Sequence, residues 1–174
     1  MAAEPTIAML NLAPVTRRNR AAHLYSAAAN YWALTKPEVN FLILITTFAG
    51  FYLASTPGPG GFRTLLVIHT LLGTSLVAGG TGTLNQFIER TFDALMRRTA
   101  RRPLASGRLK ARHALCFGIS LSLAGTVYLA LVVNVLASLL AFVTLLSYLF
   151  LYTPLKRKTP LCTLIGAFPG AVLR

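Results

Sequence analysis

The sequence predicts an all-α polytopic transmembrane bundle of four spans plus a partial fifth, and three observations predict it. Of 174 residues, 55% are hydrophobic and only 12% are charged, where a soluble domain carries roughly 25% charge. The apolar residues fall in blocks long enough to cross about 30 Å of hydrocarbon at about 1.5 Å per residue. The basic residues, 17 Lys and Arg against 4 Asp and Glu for a net charge of +13, lie between those blocks. This composition excludes a disordered basic tail, which would lack apolar residues. It also argues for a lipid bilayer as the partner and against nucleic acid, since the basic residues are interrupted by long uncharged runs.

Residues 1–35, rich in Ala and Arg with the single acid Glu4, read as a disordered cytoplasmic extension in preference to an organellar transit peptide. The membrane domain then occupies 36–174. Its first span runs from Val39 to about Ser55, stopped by Pro57-Gly58-Pro59-Gly60-Gly61. The second, from Phe62 to about Phe87, carries Gly73, Ala78, Gly79, Gly80 and Gly82; small residues let helices approach closely in lipid, which places it inside the bundle. The third spans about His113 to Val133 and the fourth about Val135 to Tyr152, with Asn134 as the turn. A fifth apolar stretch begins near Leu161.

Alternating spans put 15 of the 17 basic residues on one side, in the segments before span one, between spans two and three, and after span four. The positive-inside rule assigns that side to the cytoplasm, including the N-terminus and the 88–112 loop. A bacterial inner membrane fits better than a mitochondrial one. Tyr25, Tyr31 and Trp32, with Tyr148 and Tyr152, read as interfacial aromatics. Cys116 and Cys162 sit in apolar runs and read as small hydrophobes. His23, His69 and His113 form no ligand pattern.

The chemistry gathers at the cytoplasmic end of span two. Asn85, Glu89 and Asp93 recur every four residues and share one helix face. Carboxylates near membrane depth are costly, and a divalent cation would offset that cost. Mg²⁺ takes one or two protein carboxylates and completes its shell with water and phosphate oxygens. Alone, the pair would read as a solvated helix end. The adjoining Arg90, Arg97, Arg98, Arg101 and Arg102 change the reading, because bidentate arginine suits the free oxygens of a metal-bound diphosphate. An acid pair and an arginine cluster at one interface are what a prenyl diphosphate requires, its head at the mouth and its chain between helices.

The run from Asn85 through Glu89-Arg90-Thr91-Phe92-Asp93 to Arg101-Arg102-Pro103-Leu104 and Gly107-Arg108 closely resembles the first acidic motif of the UbiA-type intramembrane prenyltransferases, most of all their haem O synthase branch. Leu34-Thr35-Lys36-Pro37 and Tyr152-Thr153-Pro154-Leu155-Lys156 agree with it. The resemblance implies that Asn85, Glu89 and Asp93 hold Mg²⁺, with Glu89 and Asp93 as catalytic residues. It further implies that Arg90, Arg97, Arg101, Arg102 and Lys156 bind the diphosphate of farnesyl diphosphate, and that protohaem IX is the acceptor. The resemblance is imperfect at Glu38, where a basic residue is expected, and at Thr91, where an acid is frequent. The family carries a second acidic motif in its C-terminal half. Here the four acids are Glu4, Glu38, Glu89 and Asp93, so the expectation is a truncated copy with little or no transfer on its own. A prenyltransferase acting on a quinone precursor and a non-catalytic membrane protein with a lipid-binding arginine loop are the competing readings.

Overall fold

The computed structural model describes residues 25–55 and 63–156, and the regular elements among them are all helical. They are α1 (25–34), α2 (Pro37–Ala54), α3 (Thr64–Leu95), α4 (Ala111–Val133) and α5 (Val135–Leu155). Helices α2 to α5 are each long and apolar enough to cross a membrane. The stretch before residue 25, the apolar run from Leu161 and Cys162 lie outside the described residues.

Residues 25–34, which the sequence reading assigned to a disordered extension, form helix α1 and dock. Leu34 is fully buried against Leu104 and Ala114, with Phe87 and Phe117 around them. Tyr31 meets the Phe117 ring edge-on, centroids 5.0 Å apart, so it packs within the protein instead of serving as an interface aromatic. The corner into α2 is sharp. Lys36 adopts φ 50°, the left-handed region, at a cost of about 1–2 kcal/mol for an L residue. Pro37 then opens α2 at a position where no helical N–H is needed.

Helix α3 runs two turns past the end of span two near Phe87, to Leu95, and carries Asn85, Glu89 and Asp93 on one helix as expected. No Gly or Pro interrupts 87–95, so nothing local ends it. At 32 residues it reaches about 48 Å, and the acidic motif is therefore helical throughout. The end is fixed by Thr99, whose Oγ1 donates to the Asp93 carbonyl at 2.9 Å, satisfying one of the orphan acceptors of a helix C-terminus.

Small residues let α3 and α4 lie close together, as the glycines of span two predicted. A Cβ placed on Gly80 would stand 2.7 Å from the Ser122 backbone nitrogen, and one on Gly125 would meet Val77 at 2.8 Å. Asn134 makes the turn to α5, its side chain accepting from the Leu136 N–H at 2.9 Å. Ser138 Oγ donates to the Thr126 carbonyl at 2.8 Å and ties α5 back to α4. Two wide, π-helical stretches interrupt these helices, at Leu129–Val133 and Ser147–Tyr152. The second turns Thr153 inward, 1% exposed, against α3.

Candidate active site

The last turns of α3 bury what the sequence placed on one face. Asn85, Glu89 and Asp93 are 4%, 7% and 5% exposed. Buried carboxylates need paired charge, and two separate elements supply it. The segment after α3 folds back through Thr99 N–H to Met96 O and Arg102 N–H to Thr99 O, which delivers Arg102 Nη1 to Asp93 Oδ2 at 2.6 Å. The end of α5 delivers Lys156 Nζ to Glu89 Oε1 at 3.5 Å. A third cation, Lys36, arrives from the strained α1–α2 corner. Burial, and then the neighbouring Arg102 charge, push its ammonium down from the ordinary 10.5 to about 8, against the opposing pull of Glu89 and Asp93. Two carboxylates and three cations leave the cluster positive before any ligand enters.

The Asn85 amide bears on whether a metal fits. Its Nδ2 faces Glu89 Oε2 at 3.3 Å and its Oδ1 faces Thr153 Oγ1 at 3.2 Å. Thr153 also lies 2.8 Å from the Tyr148 carbonyl, yet its hydroxyl has one proton to donate. Turning the amide over would let Nδ2 donate to Thr153 while Thr153 donates to Tyr148, at the loss of the bond from Nδ2 to the Glu89 carboxylate. With the amide turned, its oxygen would stand beside the Glu89 carboxylate and would join a cation bound there. Two carboxylates and an amide oxygen suit a hard oxygen-seeking cation such as Mg²⁺, which leaves the rest of its shell to water and phosphate. Among the described residues no third Asp, Glu, His or Cys joins the pair.

The structure sorts the expected basic residues. Arg102 and Lys156 stand at the acids. Arg90 does not: its Nη1 donates to the Phe87 carbonyl at 2.8 Å and its guanidinium lies 4.5 Å over the Phe87 ring, because an arginine one position after Glu89 points about 100° away around the helix. Arg97 is exposed, and Arg101 lines a different cleft beside Arg98 and Arg108. Three participants escaped the sequence reading as site residues. Lys36 was legible only in a Lys-Pro corner after a short helix. Gln86, 2% exposed, donates from Nε2 to the Ala33 and Leu34 carbonyls at 3.2 and 3.1 Å and clamps that corner onto α3. Thr153 was hidden inside a helix end that the π-helical turn rotates inward.

Beside the cluster, α2, α3 and α5 enclose a cleft of about 320 Å³. Thr35 and Lys36 stand at one end, and Val39, Ile43, Val77, Ala78, Ala141, Leu145 and Tyr148 form its walls. Tyr148, read from sequence as an interface aromatic, thus lines this cleft and stacks on Tyr152 with ring centroids 5.1 Å apart. Far from this cluster in sequence, His69 Nδ1 and the Tyr128 hydroxyl lie 2.6 Å apart. His113 and Cys116 are exposed on α4.

The model of the UbiA prenyltransferase family matches residues 43–173. Protoheme IX farnesyltransferase of Solibacter usitatus (strain Ellin6076) is 48% identical over 150 residues, covering 82% of this chain and 51% of the relative. The protein of that name from Koribacter versatilis (strain Ellin345) is 42% identical, covering 84% of this chain and 47% of its own length. Its counterpart from Salinibacter ruber is 48% identical, with coverages of 82% and 50%. The chain spans about half the length of the curated relatives it matches. No solved structure gives a significant match.

Proposed function

Because the chain belongs to the UbiA prenyltransferase family and is an integral membrane protein with four spanning helices among its described residues, we propose that it carries the first acidic motif of a site that moves a farnesyl group from farnesyl diphosphate to a vinyl carbon of protohaem IX, as part of haem O synthesis. The observation that carries this reading is the buried Glu89–Asp93 pair, ringed by Lys36, Arg102 and Lys156, beside an apolar cleft that shares Lys36. The relatives' names supply the farnesyl group and the acceptor.

In this reading Glu89, Asp93 and the turned Asn85 hold Mg²⁺, which when bound screens and polarises the diphosphate. Lys36, Arg102 and Lys156 grip the remaining diphosphate oxygens, so the negative charge that grows as the C–O bond breaks is met by fixed donors. The bond's electron pair leaves with the diphosphate. The vinyl π pair bonds the allylic carbon, and water adds its hydroxyl to the carbocation left on the former vinyl group while its other proton goes to the departed diphosphate. The apolar cleft keeps the isoprenoid extended between α2, α3 and α5 and excludes water from the reacting carbon. In the same reading the basic end lies on the cytoplasmic side of a bacterial inner membrane, an orientation that the positive-inside rule supports.

The test is equilibrium binding of farnesyl thiodiphosphate, a slowly ionising analogue, to the chain in nanodiscs with and without Mg²⁺. Binding should require Mg²⁺ and should weaken on the order of 100-fold in Glu89→Gln and in Asp93→Asn. Mg²⁺-independent binding, equal in both variants, would overturn the assignment.

A further inference from the structure

A second cleft, of about 530 Å³, opens on the other side of Lys36. We propose that this cleft anchors the acceptor by its carboxylates, holding an amphipathic ring compound that carries two acid groups, and that Arg98 and Arg108 are its main anchors. The inference rests on the transferase reading above and deepens it.

The cleft is built for anions and adjoins the diphosphate cluster, with which it shares Lys36 and Arg102. Arg98, Arg101, Arg102 and Arg108 all line it. Arg102 is engaged with Asp93, whereas Arg98, Arg101 and Arg108 have no ion-pair partner among the described residues. Arg108 is held in place by polar contacts, its Nε donating to Ser106 Oγ at 2.9 Å and its Nη2 donating to the Arg101 carbonyl. One acid, Glu38, stands on the lining and cannot neutralise three guanidiniums. The cleft wall also includes Gln86, buried to 2% exposure, whose Nε2 is spent on the α1 carbonyls and whose Oε1 has no partner.

The remaining lining is apolar. Trp32, 67% exposed, stands with Pro37, Val39 and Pro103 around the cleft. A bare phosphate or diphosphate has no use for such walls, and a planar hydrophobic acid does. The position also suits the chemistry. Lys36 lines both clefts, and Arg102 lines this one while bonding Asp93. A ligand anchored by its acids at Arg98 and Arg108 therefore directs its far edge toward the junction with the apolar cleft. In protohaem the propionates and the vinyl groups lie on opposite sides of the macrocycle, so fixing the propionates turns the vinyl edge inward.

The experiment titrates the chain, in nanodiscs of neutral lipid, with protohaem IX and with its dimethyl ester, followed by Soret absorbance. Binding of farnesyl thiodiphosphate with Mg²⁺ is measured on the same samples. The free diacid should bind about tenfold more tightly than the ester, equivalent to about 1.4 kcal/mol. The double variant Arg98→Gln, Arg108→Gln should bind both compounds at the ester's affinity, with thiodiphosphate affinity within about twofold of wild type. Equal affinity of the diacid and the ester for the wild-type chain, a comparison that needs no variant, overturns the proposal. So does a double variant that keeps the preference for the diacid, or one that loses thiodiphosphate binding. Loss of the preference when anionic lipid replaces part of the neutral lipid would assign the cleft to a headgroup and overturn it as well. A wild-type chain that prefers the diacid yet binds no thiodiphosphate with Mg²⁺ would instead overturn the transferase reading, and the acceptor role would fall with it.

Discussion

The most apolar 18 residues of α3 match α2 in mean hydropathy, yet 28% of them are buried where α2 buries none, and over its whole length α3 buries ten. Of those ten, Val67 and Val77 are the large apolar ones; the rest are Gly73, Gly79, Gly80, Thr83, Asn85, Gln86, Glu89 and Asp93. α2 turns Phe41, Leu42, Ile45 and Phe48 outward. In water the apolar face would have gone inside. In lipid no hydrophobic force sorts the faces, and the interior is chosen by close backbone packing and by the need of polar groups for partners. The same rule that hides the small residues of α3 from lipid also hides its acids, which is how a charged site comes to lie at the end of a membrane helix.

That contrast can be broken at its strongest point first. Gly80→Ala should destabilise the chain by about 3 kcal/mol, the upper end for overpacking, because the new methyl meets a backbone nitrogen of α4 at 2.7 Å. Gly82→Ala, whose nearest neighbour would be the Thr35 carbonyl at 3.4 Å, should change stability by less than about 0.5 kcal/mol. Reversible unfolding in mixed micelles measures both, and equal losses would remove the packing argument. Next comes Gln86→Leu, which is more apolar and yet should cost about 2 kcal/mol, since the Ala33 and Leu34 carbonyls lose their donor. Hydrogen exchange should show the loss concentrated in α1.

Lys36 gives a smaller effect with a defined sign. Its folded value of about 8 lies below the ordinary 10.5, so between those pH values the folded chain binds fewer protons than the unfolded one. Stability attributable to Lys36 therefore rises from pH 8 toward 10.5, and the rise should be absent in Lys36→Met when unfolding is followed across that window. The smallest change is expected on α2, where Leu42→Ala should alter stability by less than about 0.5 kcal/mol, because the side chain is 62% exposed. A large loss there would mean that α2 is packed against protein.

Much of this was legible in the sequence wherever the information is local. The i, i+4, i+8 spacing of Asn85, Glu89 and Asp93 required one face, and the glycines of span two required an interior position; both are found. The same local logic marked the end of the span near Phe87 and not the end of α3 at Leu95, because apolarity marks where lipid ends and not where a helix does. It also misplaced Tyr31 and Tyr148, since an aromatic near a span end has the same sequence signature whether it anchors to lipid headgroups or packs on Phe117 and in the cleft wall.

By itself the sequence determined the number of described spans, the side that is basic and the face that carries the acids. Each follows from composition and from the 3.6-residue period of a single helix. Only the tertiary structure decided which cations serve those acids. Arg90, closest in sequence to Glu89, turns away to Phe87, while Arg102, Lys156 and Lys36 arrive through a return of the chain after α3, the wide turn in α5 and a left-handed corner. Those closures depend on where separate helices come to rest against one another, and residue spacing along one helix carries no information about that.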